Sequence, residues 1–466
     1  MIKSKNKNFQ KGAILMYLII VIFIFSTVMV PLLSIILGQI NYLKSSVAKE
    51  QALQIAEAGV NYYQWHLAHF TSDYKDGTNN AGPYVHTYTD RDTQNIIGSY
   101  SLVIIPPSVG STIVTIQSTG YTSAYPNIKR TVTVRYGVAS LAKYAFLSND
   151  VIWIGSTENV FGLMHSNNGI RFDGIGNAPI TSAKSTYSCS STQGLPCPAT
   201  ENGVWGSAPQ YVQNFWQFPV PAVDFSSLTA DLSSLKSLAQ SGGIYLPPSN
   251  KEGYSLEFKS NGTIDIYKVK NLNNSNNSHG QDTNGKDRSE ATDYKSRDFQ
   301  FNKPMPANGT IFVEDKTWVE GTVKGRATVV SGILPYSESK NINIYIPNNI
   351  LYSTKNGSDV LGLFSQKDIV VSFKSPKDLE IDAAMITQYG SAQFFFYNGV
   401  VKNNIRIYGS LMSFGQWTWS WVNGSGYYVA GYPNSYFVYD GNLLYGPPPS
   451  FPLSSSDYQQ IDWKSN

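Results

Sequence analysis

Few side chains in this sequence offer chemistry, and their spacing limits what that chemistry is. Cys189 and Cys197 are the only cysteines, with seven residues between them in a Ser/Thr/Pro-rich loop. Paired thiols at that spacing in an exported chain read as a disulfide. Closing so short a loop contributes about 2–3 kcal/mol through chain entropy. A two-cysteine metal site needs more ligands, and only His165 lies within a few tens of residues. His66 and His69 stand at i, i+3 with no third ligand near in sequence, so hydration at a helix end accounts for them. Asp282-Thr-Asn284-Gly285-Lys286-Asp287 has the outline of a calcium loop, but Lys286 replaces an oxygen ligand and no Glu closes the count. No metal and no cofactor is expected.

Asp359, Asp368, Asp378 and Asp382 are the candidates for the paired carboxylates that cleave glycosidic bonds. Asp at a strand start is also a turn residue, and the regular offsets favour that reading. No G-x-S-x-G, P-loop, H-E-x-x-H or G-x-G-x-x-G pattern occurs in a supporting context, so a non-enzymatic role is expected. Trp417, Trp419 and Trp421 alternate, which puts three indoles on one side of a strand. They are candidates for a surface-binding face toward a glycan or other cell-surface ligand; the competing reading is core filling.

The elements that must carry these residues follow from composition. The 466 residues are 14 % charged, against about 25 % in an ordinary domain, yet 42 % hydrophobic and 13 % aromatic. A packed core of two or three units is expected. The net charge of +3 does not call for nucleic acid as a partner.

Lys3, Lys5, Lys7 and Lys11 precede Gly12, and no charged residue follows until Lys44. The apolar run Ala13 to Ile40, 28 residues, spans about 42 Å as a helix at 1.5 Å per residue. That exceeds the roughly 30 Å hydrocarbon core of a membrane. The lysine asymmetry predicts a single-pass segment, N-in and C-out, in the cytoplasmic membrane. A cleaved secretory signal fits less well, because the run is long and Leu37-Gly38-Gln39 is a poor cleavage site. Beyond the run, Val47, Ala48, Ala52, Ile55, Ala56, Gly59, Val60 and Tyr63 recur at spacings of three and four, one face of a continuing helix. A stem helix over 13–70 is therefore predicted, with a kink or loosened stretch at Pro31 and Gly38.

A Lys-rich leader ending in Gln10-Lys11-Gly12, the apolar run from Ala13, and Ala56-Glu57-Ala58-Gly59 further on resemble the N-terminus of type IV pilus minor pilins, prepilin-like proteins of the PilX N-terminal class. The resemblance implies cleavage between Gly12 and Ala13 by a prepilin peptidase, with methylation of the new terminus. It also implies partners among other pilin subunits and an inner-membrane pilus assembly platform, and an extracellular filament or the cell surface as destination. Tyr17 occupies the fifth mature position, where major pilins carry a Glu that neutralises a neighbour's terminal ammonium in the low-dielectric filament core. Its absence favours a minor subunit at a filament tip, for assembly priming or adhesion.

The rest divides by texture. Residues 71–98 read as a loop opening a pilin-like antiparallel sheet over 71–140, with strands near 99–105, 111–122 and 129–137 between Pro, Asn and Gly breakers. With the stem this is an α+β layout. Over 141–446 many short strands recur at intervals of eight to ten, which predicts a mainly-β domain, a right-handed β-helix (solenoid), with a β-sandwich as the alternative. Residues 271–297 have almost no large apolar side chain and are expected to be a disordered insertion, and 447–466 a polar C-terminal tail. The expected function is a displayed filament subunit. The alternatives are a membrane-anchored β-helix carbohydrate-active enzyme and a surface protein outside any filament.

Overall fold

The computed structural model describes residues 9–225, 232–275, 279–288, 290–337, 339–340, 342–455 and 457–465, with side chains from residue 14 onward. The chain divides into two compact units: Met1–Pro106, Val114–Tyr136 and Asp457–Asn466 in the first, Pro107–Ile113 and Gly137–Ser456 in the second.

The first unit is built on helix α1, Phe9–His69, which stays helical through Pro31 and Gly38. Its C-terminal half buries Ala48, Ala52, Ile55, Ala56, Val60, Tyr63 and Leu67, the i, i+3, i+4 stripe of one face. Val47, expected on that stripe, is 57 % exposed, because it lies a helix position off the contact line. The stripe packs on strands β1 (Tyr84–Thr89), β2 (Ile96–Ile105), β3 (Ile113–Thr122) and β4 (Lys129–Gly137), whose Tyr100, Leu102, Val114, Ile116, Val132 and Val134 complete the core. β1 and β3 both run antiparallel to β2. The strand Gln459–Ser465 adds to β4 as the fifth of the sheet. The expected polar tail is thus an edge strand, held by Arg135 paired to Asp462 and by Tyr74 bonded to Tyr458.

The second unit lies in the chain between β4 and that last strand. Its short strands pair in parallel in long columns of register partners. Ile244, Ile311, Val329, Leu363, Met385, Leu411, Phe146, Met164 and Ile180 succeed one another in one column, all buried. Gly321, Ile350, Ile381, Ile407, Phe437 and Val160 form a second, and Ile344, Ile369 and Ala392 a third. Stack order is not chain order. The chain enters in mid-column at Phe146 and climbs to Ile180. It then passes through the helix Leu232–Gly242, resumes at Ile244 at the far end, and returns to Leu411 beside Phe146. That pairing covers the strand edge Asn404–Ser413 would otherwise leave open. The sheet of the first column is apolar on both faces: Phe312, Val330, Phe364, Ile386 and Met412 alternate with the column residues and are covered by Leu232, Leu235 and Ala239 of the helix, with Leu141, Leu443 and Phe451.

Seven of the nine strands of the first column end in a hydroxyl; the two carrying Ile244 and Ile311 end in Leu246 and Val313. Ser331, Ser365, Thr387, Ser413, Ser148, Ser166 and Ser182 are register partners in turn and are all buried. They add a donor to corner carbonyls: Ser365 Oγ donates to Asp368 O at 2.8 Å, Thr387 Oγ1 to Gly390 O at 2.8 Å, and Ser413 Oγ to Gly415 O at 2.8 Å.

The residues expected to be a disordered insertion are ordered where described. Strands Thr263–Leu272 and Tyr294–Pro304 pair with each other, and Arg288 reaches Asp368 at 2.9 Å. Ion pairs and backbone pairing hold this segment where apolar side chains are scarce.

Candidate functional site

The most unusual surface of the molecule is the N-terminal half of α1. Residues 14–44 are all exposed, among them Ile14, Tyr17, Phe23, Phe25, Leu37, Tyr42 and Leu43. An apolar stretch of this size has no place against water and marks a membrane or a partner. The helix is long and apolar enough to cross a membrane. The Ser and Thr hydroxyls of residues 14–44 bond inside the helix: Ser26 Oγ donates to Phe23 O at 2.9 Å, Thr27 Oγ1 to Phe23 O at 2.5 Å and Ser34 Oγ to Val30 O at 3.0 Å. In hydrocarbon, where no water competes, that is what polar atoms require. Leader residues 1–8 lie outside the described residues, and at Gly12 and Ala13 only the helical backbone is described.

Above the apolar stretch, Ala56-Glu57-Ala58-Gly59 places its small residues against the sheet. A Cβ on Gly59 would sit 2.3 Å from Ser118 Oγ and 2.7 Å from Tyr100 Cδ2, and one on Gly120 would sit 2.4 Å from Ala56 N. The motif therefore sets the distance between helix and sheet. At the helix end His66 Nε2 lies 3.0 Å from Asp73 Oδ2, and His69 Nδ1 bonds Trp65 O at 2.8 Å, so the two histidines serve different partners. The backbone N–H of Lys75 and then of Gly77 hold the Asp73 carboxyl below its ordinary range.

In the second unit the residues singled out by sequence are spread rather than gathered. Cys189 and Cys197 form a disulfide, with Cα atoms 5.5 Å apart. Arg171, stacked between Trp153 and Trp205, pins the closed loop through the carbonyls of Gln193 and Leu195. Asp359 accepts from the backbone N–H of Gly325 and of Thr354, both at 2.7 Å. Asp368 accepts from Ser391 N and pairs with Arg288; burial pushes its carboxyl up. Asp378 takes the side-chain amides of Asn403 and Asn404, which hold it down. Asp382, fully buried, accepts from Tyr352 N at 2.9 Å and pairs with Lys355; burial raises it as well. Each aspartate is engaged by backbone or side-chain donors, Asp359 and Asp382 both on the segment 352–355. Asp282 likewise spends one oxygen on Asn284 N and Lys286 N and the other on Arg288. Among the described residues no group of three His, Cys, Asp or Glu side chains is placed to hold a metal ion.

The tryptophan face is corrected by the structure. Trp417 and Trp419 are 4 % and 0 % exposed and pack in the core with Phe146 and Phe437, while Trp421 is half-buried and donates to Phe394 O at 2.9 Å. Alternation placed two of the three on one side correctly, but that side is the interior. Exposed aromatics of this unit lie elsewhere, among them Tyr336, Tyr389 and Phe414. Their sequence signal is weak: each of these three follows, by one to five positions, the Ser or Thr that ends a strand.

No protein-family model and no curated protein matches the chain. Among solved structures it is similar to the competence-associated pilin ComZ from Thermus thermophilus, at 11 % identity over 90 % of this chain and 97 % of that chain, with a TM-score of 0.30. A likeness at that TM-score is too distant to assign a function, which must come from the chain's own residues.

Proposed function

We propose that this protein is a minor subunit of a type IV pilus-like filament. A prepilin peptidase cuts between Gly12 and Ala13 and methylates the new terminus. The stem crosses the cytoplasmic membrane N-in, C-out, then packs with other pilin subunits on an inner-membrane assembly platform. The second unit, which we read as a β-helix, is displayed at the cell surface without catalytic activity, for assembly priming or adhesion. Its parallel columns support a solenoid over a sandwich, whose sheets are antiparallel.

The observation that carries this reading is the division of one continuous helix. Residues 14–44 of α1 are exposed and uncharged up to Lys44, while beyond them the stripe Ala52, Ile55, Ala56, Val60, Tyr63 and Leu67 is buried, with Ile55 to Leu67 of it packed on the sheet of the same unit. A simple membrane anchor needs only the first half; a filament stem needs both, because the sheet must travel with the helix. Tyr17, with no carboxylate to match a neighbour's ammonium, supports a place at the tip.

N-terminal sequencing and intact mass of the protein purified from membranes test it. A chain beginning at Ala13 is the expected result. An intact Met1, or a cut beyond Ile40, overturns it.

A further inference from the structure

The tripeptide Asn-Gly-Ser/Thr occurs four times in the second unit, beginning at Asn261, Asn308, Asn356 and Asn423. An asparagine two residues before a hydroxyl is the acceptor sequence for N-linked sugar, and it is also ordinary turn chemistry. The structure divides the four. Asn261 lies at the tip between the strands Gly253–Phe258 and Thr263–Leu272, and Asn423 at the tip between Ser420–Val422 and Tyr428–Gly431. Asn356 lies in the loop between Ile350–Tyr352 and Val360–Ser365. All three are exposed.

At each of these positions the side-chain amide is held by its oxygen. Asn261 Oδ1 accepts from Thr263 N at 3.0 Å and from Thr263 Oγ1 at 2.8 Å. Asn356 Oδ1 accepts from Ser358 N at 3.0 Å and from Ser358 Oγ at 2.7 Å. Asn423 Oδ1 accepts from Ser425 N and from Tyr427 N, both at 3.0 Å. With the oxygen fixed to the turn, the amide nitrogen is on the other side, and Nδ2 of all three has no partner among the described residues. Asn308 is built differently. Its Nδ2 donates to Leu238 O at 2.8 Å, which ties down the helix Leu232–Gly242, and the hydroxyl-bearing Thr310 is fully buried.

We propose that Asn261, Asn356 and Asn423 are acceptors of N-linked oligosaccharide and that Asn308 is not. The donor is an oligosaccharide joined through a diphosphate to a membrane lipid, on the side of the membrane to which the second unit is delivered. Nδ2 attacks the terminal sugar C1, the C1–O bond to the diphosphate breaks and a C1–Nδ2 bond forms. The lipid diphosphate leaves with the electron pair, and one Nδ2 proton passes to a base of the transferase. An asparagine whose nitrogen already serves the protein cannot take part without breaking that bond, which separates Asn308 from the rest. Sugars at three exposed turns hydrate the surface of a chain that is only 14 % charged. The proposal rests on the N-in, C-out topology of the filament reading.

The test is peptide mass mapping of the full-length protein isolated from the membranes of the cells that make it. Labelling of right-side-out vesicles with a membrane-impermeant amine reagent reports separately whether the second unit is outside. Peptides with Asn261, Asn356 and Asn423 are expected to carry added sugar mass and the Asn308 peptide none. Ser358→Ala and Ser425→Ala keep the asparagines but are expected to lose the sugar at 356 and 423, and Ser425→Thr to keep it. A labelled second unit with no sugar at any of the three positions overturns the proposal and leaves the topology standing. Sugar on Asn308, sugar that survives Ser425→Ala, or conversion of these asparagines to aspartate in place of added sugar also overturns it. An unlabelled second unit overturns the topology and the proposal together.

Discussion

Gly120 of β3 meets Ala56 of α1 with nothing between their backbones: a Cβ at 120 would lie 2.4 Å from Ala56 N and 2.2 Å from Ala52 O. The opposite approach repeats at Gly59, which has space for neither a methyl nor a larger group beside Ser118 and Tyr100. The stem helix is held to the sheet by the absence of side chains at these points.

Gly120→Val is therefore expected to destabilise the first unit by about 1–3 kcal/mol, the usual cost of overpacking a filled interior. Thermal unfolding of the full-length protein reads it. Gly38→Val, at an exposed helical position with no atom within 4 Å, is the control and should leave the transition in place. Equal melting of the two variants would show that helix and sheet are not in contact through Gly120.

Arg326 is expected to be among the most sensitive residues of the second unit. Its guanidinium donates to the carbonyls of Gly110, Gly357, Gly446 and Pro447, and no carboxylate pairs with it among the described residues. Burial lowers its pKa accordingly. Arg326→Met strands several carbonyls at about 1–3 kcal/mol each, and Arg326→Lys, a point donor without the planar fork, recovers only part of the loss. Denaturant titration of the three proteins decides it: Lys equal to Arg contradicts the geometry.

Glu158 makes stability depend on pH. It is 5 % exposed, accepts from Gly155 N at 2.7 Å, and burial pushes its carboxyl up to about 7. Below about pH 4, near the unfolded-state value, it is neutral folded or unfolded and costs nothing. Between there and about pH 7 the folded state binds the extra proton, so stability falls as pH rises, by up to roughly 3 kcal/mol. Glu158→Gln keeps the hydrogen bond without the charge. It is expected to melt higher than wild type at pH 8.5 and at nearly the same temperature at pH 4.5; an equal difference at both values refutes the assignment.

The hydroxyl column gives a conservative probe. Thr387→Val keeps shape but removes one of two donors to Gly390 O, which retains Gly415 N, and takes away the acceptor of the Phe414 N–H. A loss of about 1–3 kcal/mol is expected. Val at exposed Thr87 of β1 is the comparison; a smaller loss at 387 than at 87 would mean that the column is not structural.

The stem was legible because a long uncharged run followed by a three-and-four stripe leaves little choice of structure, and Ala48 to Tyr63 lie buried along that stripe. The disulfide was legible because two cysteines allow one pairing. The tail was not: Gln459–Ser465 is too polar to announce a strand, and only Arg135 and Tyr74, more than 300 residues away in sequence, give it a place. The ordered part of 271–297 was missed for the same reason, since Arg288 gains its meaning from Asp368.

By itself, then, the sequence determined the local matters: where the helix runs, that short strands come after it, which cysteines join. These depend on periodicity and on neighbours within a few positions. Which side of a strand faces inward, as at Trp417 and Trp419, and which distant rings meet, as at Tyr336 and Tyr389, only the tertiary structure decided. Period two divides residues between two faces but does not say which face water will see.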